Sequence, residues 1–236
     1  MQGGASVGVV IPAGGAGSRM ARPGAPSKQF RRLGDAPVLV HSVRAFTGWS
    51  SAVVVAVPAG EEAFTRGALG DHGVEAEVVA GRSTRQGSVQ SGVEALPAGT
   101  EVVLVHDAVR PFVATSVIAS VIDAARSHGA AAAALPVADT LRLGGAGPLF
   151  GGTVSREGLW AMQTPQGARL EWLRRAYGLA AGETFTDEVG LLQHAGFDVR
   201  IVEGDARTFK ITRPADWSLA EALWPSWSRE VLGTGE

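Results

Sequence analysis

Val7-Gly8-Val9-Val10-Ile11 runs without a break into Pro12-Ala13-Gly14-Gly15-Ala16-Gly17-Ser18-Arg19-Met20. An apolar, β-branched run without polar alternation fits a strand buried on both faces, the situation in a parallel sheet covered by helices. The glycines that follow let backbone N–H groups converge on an anion, and a helix starting there adds partial positive charge. The stretch reads either as a phosphate cradle or as an ordinary glycine-rich turn from strand to helix. It is neither of two familiar cradles. The dinucleotide pattern G-x-G-x-x-G from Gly15 needs a small residue where Met20 stands, and the P-loop needs Gly-Lys-Ser/Thr at the end of the loop. In their place come Arg19 and, after Pro23 and Pro26, Lys28.

The same kind of run recurs downstream, at Ala52 to Val57, Val74 to Val79, Val102 to Val105 and Ala131 to Pro136. Between these runs, Val38 to Phe46, Ser88 to Leu96 and Val117 to Ala125 space their apolar residues near 3.6, as crossover helices do. The alternation predicts an α/β fold: an open, doubly wound, mainly parallel sheet flanked by helices, with ligands at the carboxyl ends of the strands. Helices are expected at Leu170 to Ala181, at Asp187 to His194 and from Pro214 to Trp224, the last with Thr212 near its cap. A strand is expected at Val199 to Val202. Residues 138–153 break the rhythm with six glycines and prolines and few core residues, so they should project as a β-arm extending to about residue 156. Exposed Leu141, Leu143, Leu149 and Phe150 on such an arm favour a covering surface. A loose loop and an arm exchanged across a dimer interface both fit this pattern. With no internal repeat and no long linker, residues 1–236 read as a single domain.

Composition narrows the function. The 236 residues carry a formal net charge of -2 and no cysteine. That excludes disulfides, thiolate metal sites and a catalytic thiol, and argues against a nucleic-acid groove or an anionic-membrane patch. Residues 1–10 show no basic start or cleavage site, and Ala130 to Ala138 is far shorter than the ~20 residues of a membrane span, so a cytoplasmic location is expected. Of 21 basic residues only Lys28 and Lys210 are lysine. Such a ratio reflects composition bias, and it makes each surviving lysine worth inspecting, because ammonium and guanidinium are not interchangeable.

Val105-His106-Asp107-Ala108-Val109-Arg110-Pro111 follows a strand at the expected ligand edge. Asp107 there suits a Mg²⁺ that bridges substrate phosphates, and Arg110 suits a phosphate; a structural Asp with a bound Arg fits equally. A third group comprises Ser155-Arg156, Gln163-Thr164-Pro165-Gln166, Thr186-Asp187-Glu188 and Phe209-Lys210-Ile211-Thr212. These hydroxyls and cations suit the positioning of an anionic, hydroxylated substrate, although Thr-Asp-Glu is also a good helix start. There is no G-x-S-x-G elbow, and His41, His72, His106, His128 and His194 lack metal-ligand spacing. Phosphate-binding groups, a candidate metal carboxylate and no covalent nucleophile together point to phosphoryl or nucleotidyl transfer.

The ordered set of residues 12–20, 105–111, 136–140 (Pro-Val-x-Asp-Thr), 163–166, 186–188 and 209–212 resembles the 2-C-methyl-D-erythritol 4-phosphate cytidylyltransferase family, from about Val7 to about Leu223. The resemblance implies transfer of CMP from CTP to the sugar phosphate with Mg²⁺ and release of pyrophosphate, by a homodimer that exchanges its arm. It implies that Arg19 and Lys28 hold the CTP phosphates, and that Ala13, Gly14, Gly15, Gly17, Gly81 and Ser88 contact the nucleotide. Asp107 would ligate Mg²⁺ near the sugar phosphate, beside Arg110. Arg156 and Lys210 would orient that phosphate, helped by Thr140, Thr164 and Thr186. Thr140 and Arg156, flanking the arm, would serve a second subunit's site. Arg82 after Gly81, Val109, and Val189-Gly190 depart from the family pattern, Ser27 separates Pro26 from Lys28, and the Arg19 to Lys28 spacing is longer than usual. Ribitol 5-phosphate transfer, a non-catalytic nucleotide-binding role and NAD-dependent oxidoreduction are the competing readings. A supporting carboxylate for the metal at Asp205 is left open.

Overall fold

The computed structural model describes residues 6–14, 27–180 and 182–232. Strands β1 (Val7–Pro12), β4 (Ala52–Val57), β5 (Glu77–Ala80), β6 (Val102–Val105), β7 (Ala130–Pro136), β10 (Trp160–Arg169) and β11 (Arg200–Glu203) form one sheet in the order β11-β7-β10-β6-β1-β4-β5. β1 pairs parallel with β4 and β6, as do β4 with β5 and β7 with β11. β10 alone runs antiparallel, between β6 and β7. Two short strands, β2 (Arg32–Leu33) and β3 (Ala36–Pro37), pair separately.

Helices cover both faces. On one, α1 (Val38–Arg44) and α4 (Thr115–His128) close a core with Val9, Ile11, Val55 and Leu104. On the other, α3 (Arg85–Ala95), α5 (Leu170–Leu179) and α6 (Glu188–His194) pack on Val10, Val54, Val103 and Val105. Neighbouring residues of one strand feed opposite cores, which is why these strands show no polar alternation. A third cluster, of Phe112, Ile211, Trp217 and Trp227 with Leu33 of β2, seats α7 (Pro214–Leu232). Asp216 accepts hydrogen bonds from the backbone N–H of Thr212 and Arg213 at 2.8 and 2.7 Å, closing the start of α7.

The expected elements are present with shifted ends. Besides the short 3-10 helix at Lys28–Phe30 and the two-residue strands β2 and β3, two longer elements were not expected, β10 and α2 (Glu62–Gly70). α2 contains Gly67 and buries only Thr65 and Leu69, so its apolar stripe is too thin to read. β10 carries Pro165 and two glutamines and so reads as a polar loop. α7 continues past Trp224 through Pro225, because Trp227 is 7% exposed and packs edge-on against Phe112 at 5.5 Å. The break in rhythm is a hairpin of β8 (Leu141–Gly144) and β9 (Phe150–Val154), whose Leu143, Leu149 and Phe150 are 60, 68 and 84% exposed.

Candidate active site

The carboxyl ends of β1, β4, β5 and β6 and the amino end of β10 meet along one edge. Asp107, just past β6, is its centre. Its side chain is 9% exposed and meets three cations: Arg85 Nε lies 3.4 Å from Oδ1, and Arg110 Nε and Lys210 Nζ lie 3.3 and 3.0 Å from Oδ2. Burial alone would raise its pKa; the charges of Arg85, Lys210 and Arg110 together outweigh burial and hold it far below the ordinary carboxylate range. Arg110 is tied down at its other end, where Nη1 donates to the Thr208 carbonyl at 2.7 Å. Thr164 Oγ1 accepts the Asp107 N–H at 3.1 Å and fixes the turn that presents the carboxylate.

The two lysines converge. Lys28 opens a short 3-10 helix, Lys28–Phe30, and its Nζ donates to the Ile211 carbonyl at 3.2 Å, one residue from Lys210. On the side expected to take the nucleotide, a Cβ added at Gly14 or Gly81 would stand 3.7 or 2.6 Å from Ser88 Oγ, so the three residues share one small space. Gly81 in particular cannot carry a side chain without displacing Ser88. The Ser88 hydroxyl is engaged with the turn before α3, within 2.9 Å of the Thr84 carbonyl and 3.1 Å of the Arg82 carbonyl, and accepts the Arg82 N–H at 3.2 Å. The Ala13 N–H donates to Ala56 at 2.7 Å, and the Ala13 carbonyl accepts from Gln29 Nε2 at 2.9 Å. Arg82 places its guanidinium 2.7 Å from Glu94 along α3, which balances its charge.

Thr186 is exposed beside this group, and the residue that caps α6 is its neighbour Asp187, which accepts the Gly190 N–H at 3.0 Å. Thr140 and Arg156 lie apart on the arm; Arg156 donates to the Ala138 carbonyl at the arm's base, and among the described residues no hydrogen bond or ion pair joins either to Asp107, Arg110 or Lys210. Arg19, Gly15 and Gly17 fall outside the described residues. Asp205 is paired with Arg207 at 2.7 Å.

Sequence reasoning missed Arg85 and its pairing with a buried Glu188. Glu188 is 4% exposed and receives both Arg85 Nη atoms, at 2.9 and 3.0 Å. The signal for Arg85 was its place at the start of α3, just past the turn that follows β5 and at the same edge as Asp107.

The profile of the 2-C-methyl-D-erythritol 4-phosphate cytidylyltransferase family matches residues 7–225. An enzyme of that name from Salinibacter ruber is 48% identical over 225 residues, covering 93% of each chain. One from Deinococcus radiodurans is 47% identical over 216 residues, covering 91% of this chain and 88% of its own. The crystal structure of the Thermus thermophilus enzyme superposes with a TM-score of 0.79 at 39% identity, over 92% of this chain and 98% of that one. Motif order, fold and similarity along nearly the whole length agree: the chain belongs to the 2-C-methyl-D-erythritol 4-phosphate cytidylyltransferase family.

Proposed function

We propose that the Asp107 cluster and the two lysines carry the family's reaction in this chain: transfer of CMP from CTP to 2-C-methyl-D-erythritol 4-phosphate, a step of isoprenoid precursor synthesis. The observation that supports it is the meeting of Lys28, Lys210 and Arg110 around one buried carboxylate at the sheet's ligand edge. An oxygen of the sugar phosphate attacks the α-phosphorus of CTP, the new P–O bond forms as the α–β bridge breaks, and pyrophosphate leaves with the electron pair. The nucleophile is already an anion at neutral pH, so no general base is required. Two polyanions must instead be held together in line, which is a task for fixed cations.

Lys210 and Arg110 bind the attacking phosphate, and Asp107 keeps both side chains in place. Lys28 and Arg19 take the triphosphate and the charge that develops on it, with the glycine-rich loop including Gly15 and Gly17, and with Ala13, Gly14, Gly81 and Ser88 around the nucleotide. Thr164 fixes the Asp107 turn and Thr186 faces the sugar. Among the described residues no three His, Cys, Asp or Glu side chains gather into a metal site. A single carboxylate suits Mg²⁺, which keeps its waters and takes most of its ligands from substrate phosphates. Asp107 would hold it from the protein side, and it would neutralise the triphosphate.

Thr140 and Arg156 reach the second copy's site in an exchanged-arm homodimer; the exposed Leu143, Leu149 and Phe150 support that arrangement. Among the described residues no helix is long and apolar enough to cross a membrane, which accords with action in the cytoplasm on small soluble substrates. The test is pyrophosphate release from CTP with Mg²⁺, methylerythritol phosphate and ribitol 5-phosphate being run side by side. Turnover with the first is expected, with Lys210→Ala raising its KM and Lys28→Ala lowering kcat. No turnover with either sugar phosphate, or unchanged kinetics in Lys210→Ala, overturns the reading.

A further inference from the structure

The amino end of α3 is stitched to the segment before α6. Gln86 Nε2 donates to the Glu183 carbonyl at 3.3 Å and its Oε1 accepts the Phe185 N–H at 2.7 Å, while Arg85 grips both oxygens of Glu188. Glu188 is in turn fixed through its N–H, which donates to Gln166 Oε1 at 3.0 Å. The guanidinium therefore cannot swing, and its remaining Nε is delivered to Asp107 Oδ1 at 3.4 Å. This matters for Lys210. The Asp107 carboxylate must hold Lys210 in place yet release enough of its charge for an incoming phosphate. With Oδ1 taken up by Arg85, the hold on Lys210 through Oδ2 is shared and weaker. Without Arg85, the same buried anion faces only Arg110 and Lys210 and competes harder with substrate.

We infer that Arg85 is a positioning residue: anchored on Glu188, it sets the orientation and the free charge of Asp107, and through Asp107 the readiness of Lys210 to bind the sugar phosphate. Arg85 also ties the turn beneath the nucleotide to the segment that carries Thr186. It acts through its neighbours and needs no contact with the reacting atoms. The inference rests on the assignment of Lys210 to the sugar phosphate.

The test compares wild type, Arg85→Lys and the double variant Arg85→Gln/Glu188→Gln. A lysine supplies one cationic tip and can serve Glu188 or Asp107 but not both; the double variant removes both charges of the buried pair, so no lone charge is left to unfold the protein. Thermal unfolding and pyrophosphate release are measured with each substrate varied in turn. The KM for methylerythritol phosphate should rise about tenfold or more in both variants, the scale of one charge-assisted hydrogen bond, while the KM for CTP moves less than about threefold. If the double variant regains wild-type kinetics along with wild-type stability, the pair is only structural and the inference falls. It falls also if both KM values rise together. A wild type without sugar-phosphate activity would instead remove the functional reading beneath it.

Discussion

His106, directly before Asp107, is fully buried, and its partners fix its protonation state. Nε2 lies 3.0 Å from the Arg110 carbonyl oxygen, which can only accept, so this nitrogen carries the proton. Nδ1, 3.1 Å from Thr164 Oγ1, then accepts the threonine's proton. Both nitrogens are matched to the neutral ring. Burial, partly offset by the Arg110 carbonyl and the Asp107 charge, pulls the pKa from 6.5 to about 4. Well above pH 6.5 the ring is neutral in folded and unfolded chains alike and contributes no pH dependence. As pH falls below 6.5 the unfolded chain takes up the proton first, so stability is lost, and the loss levels off near pH 4, where the folded chain is protonated too. The interval from 6.5 to about 4, at ~1.36 kcal/mol per pH unit, amounts to roughly 3 kcal/mol. Urea unfolding followed by tryptophan fluorescence reads this in wild type and in His106→Gln, whose amide keeps an N–H for the Arg110 carbonyl but does not titrate. The variant should be less stable near neutral pH by about 1–3 kcal/mol, and the gap should close by roughly 3 kcal/mol on descending to about pH 4. Parallel stability curves for the two proteins would refute the reasoning.

Two further substitutions check the packing. A Cβ at Gly92, on α3, would stand 2.4 Å from Val10 Cγ1 on β1, and a β-branched core side chain has little freedom to yield. Overpacking of about 1–3 kcal/mol should exceed the roughly 1 kcal/mol that alanine gains over glycine as a helix former. Gly92→Ala should therefore lower Tm by a few degrees, and a rise in Tm would count against the close contact. The Tyr177 hydroxyl is buried with no hydrogen-bond partner among the described residues. Tyr177→Phe should leave the urea midpoint unchanged or raise it, since it removes a desolvation cost of about 1–3 kcal/mol; a clear fall would reveal a bond the hydroxyl does make.

The parallel strands could be read from sequence because their burial is local information: Val9 and Val10 face opposite cores, and both must be apolar. β10 could not, because its role depends on partners far away in sequence. Gln166 looks like a loop residue until Val105 is placed opposite it, and its side chain is then seen to accept the Glu188 N–H. Asp107, Arg110 and Lys210, which the structure brings together, could be singled out because each stands beside a strand end or in a conspicuous motif. Arg85 was not, for a reason that lies in composition: among 19 arginines one more stands out only by its place just after β5, and nothing in the sequence shows that Glu188, a good first-turn residue, is buried and needs a cation.

The rarity of lysine gains a physical meaning at Asp107. A carboxylate has two oxygens and about four lone-pair directions. Here Arg85 occupies one oxygen and Arg110 shares the other, in a pocket where the carboxylate is 9% exposed. A third planar guanidinium would need room for its fork beside two others. An ammonium needs only a point of approach, which Lys210 makes at 3.0 Å while its own side chain stays 39% exposed and able to meet a phosphate. Lys28 Nζ likewise donates to a backbone oxygen, the Ile211 carbonyl, by a point of approach rather than a planar fork, and an ammonium brings three donors in rotation. On the proposed reading, the two places where composition bias stopped short of arginine are thus the two places where a compact ammonium is held beside protein oxygens and a substrate phosphate is to be met.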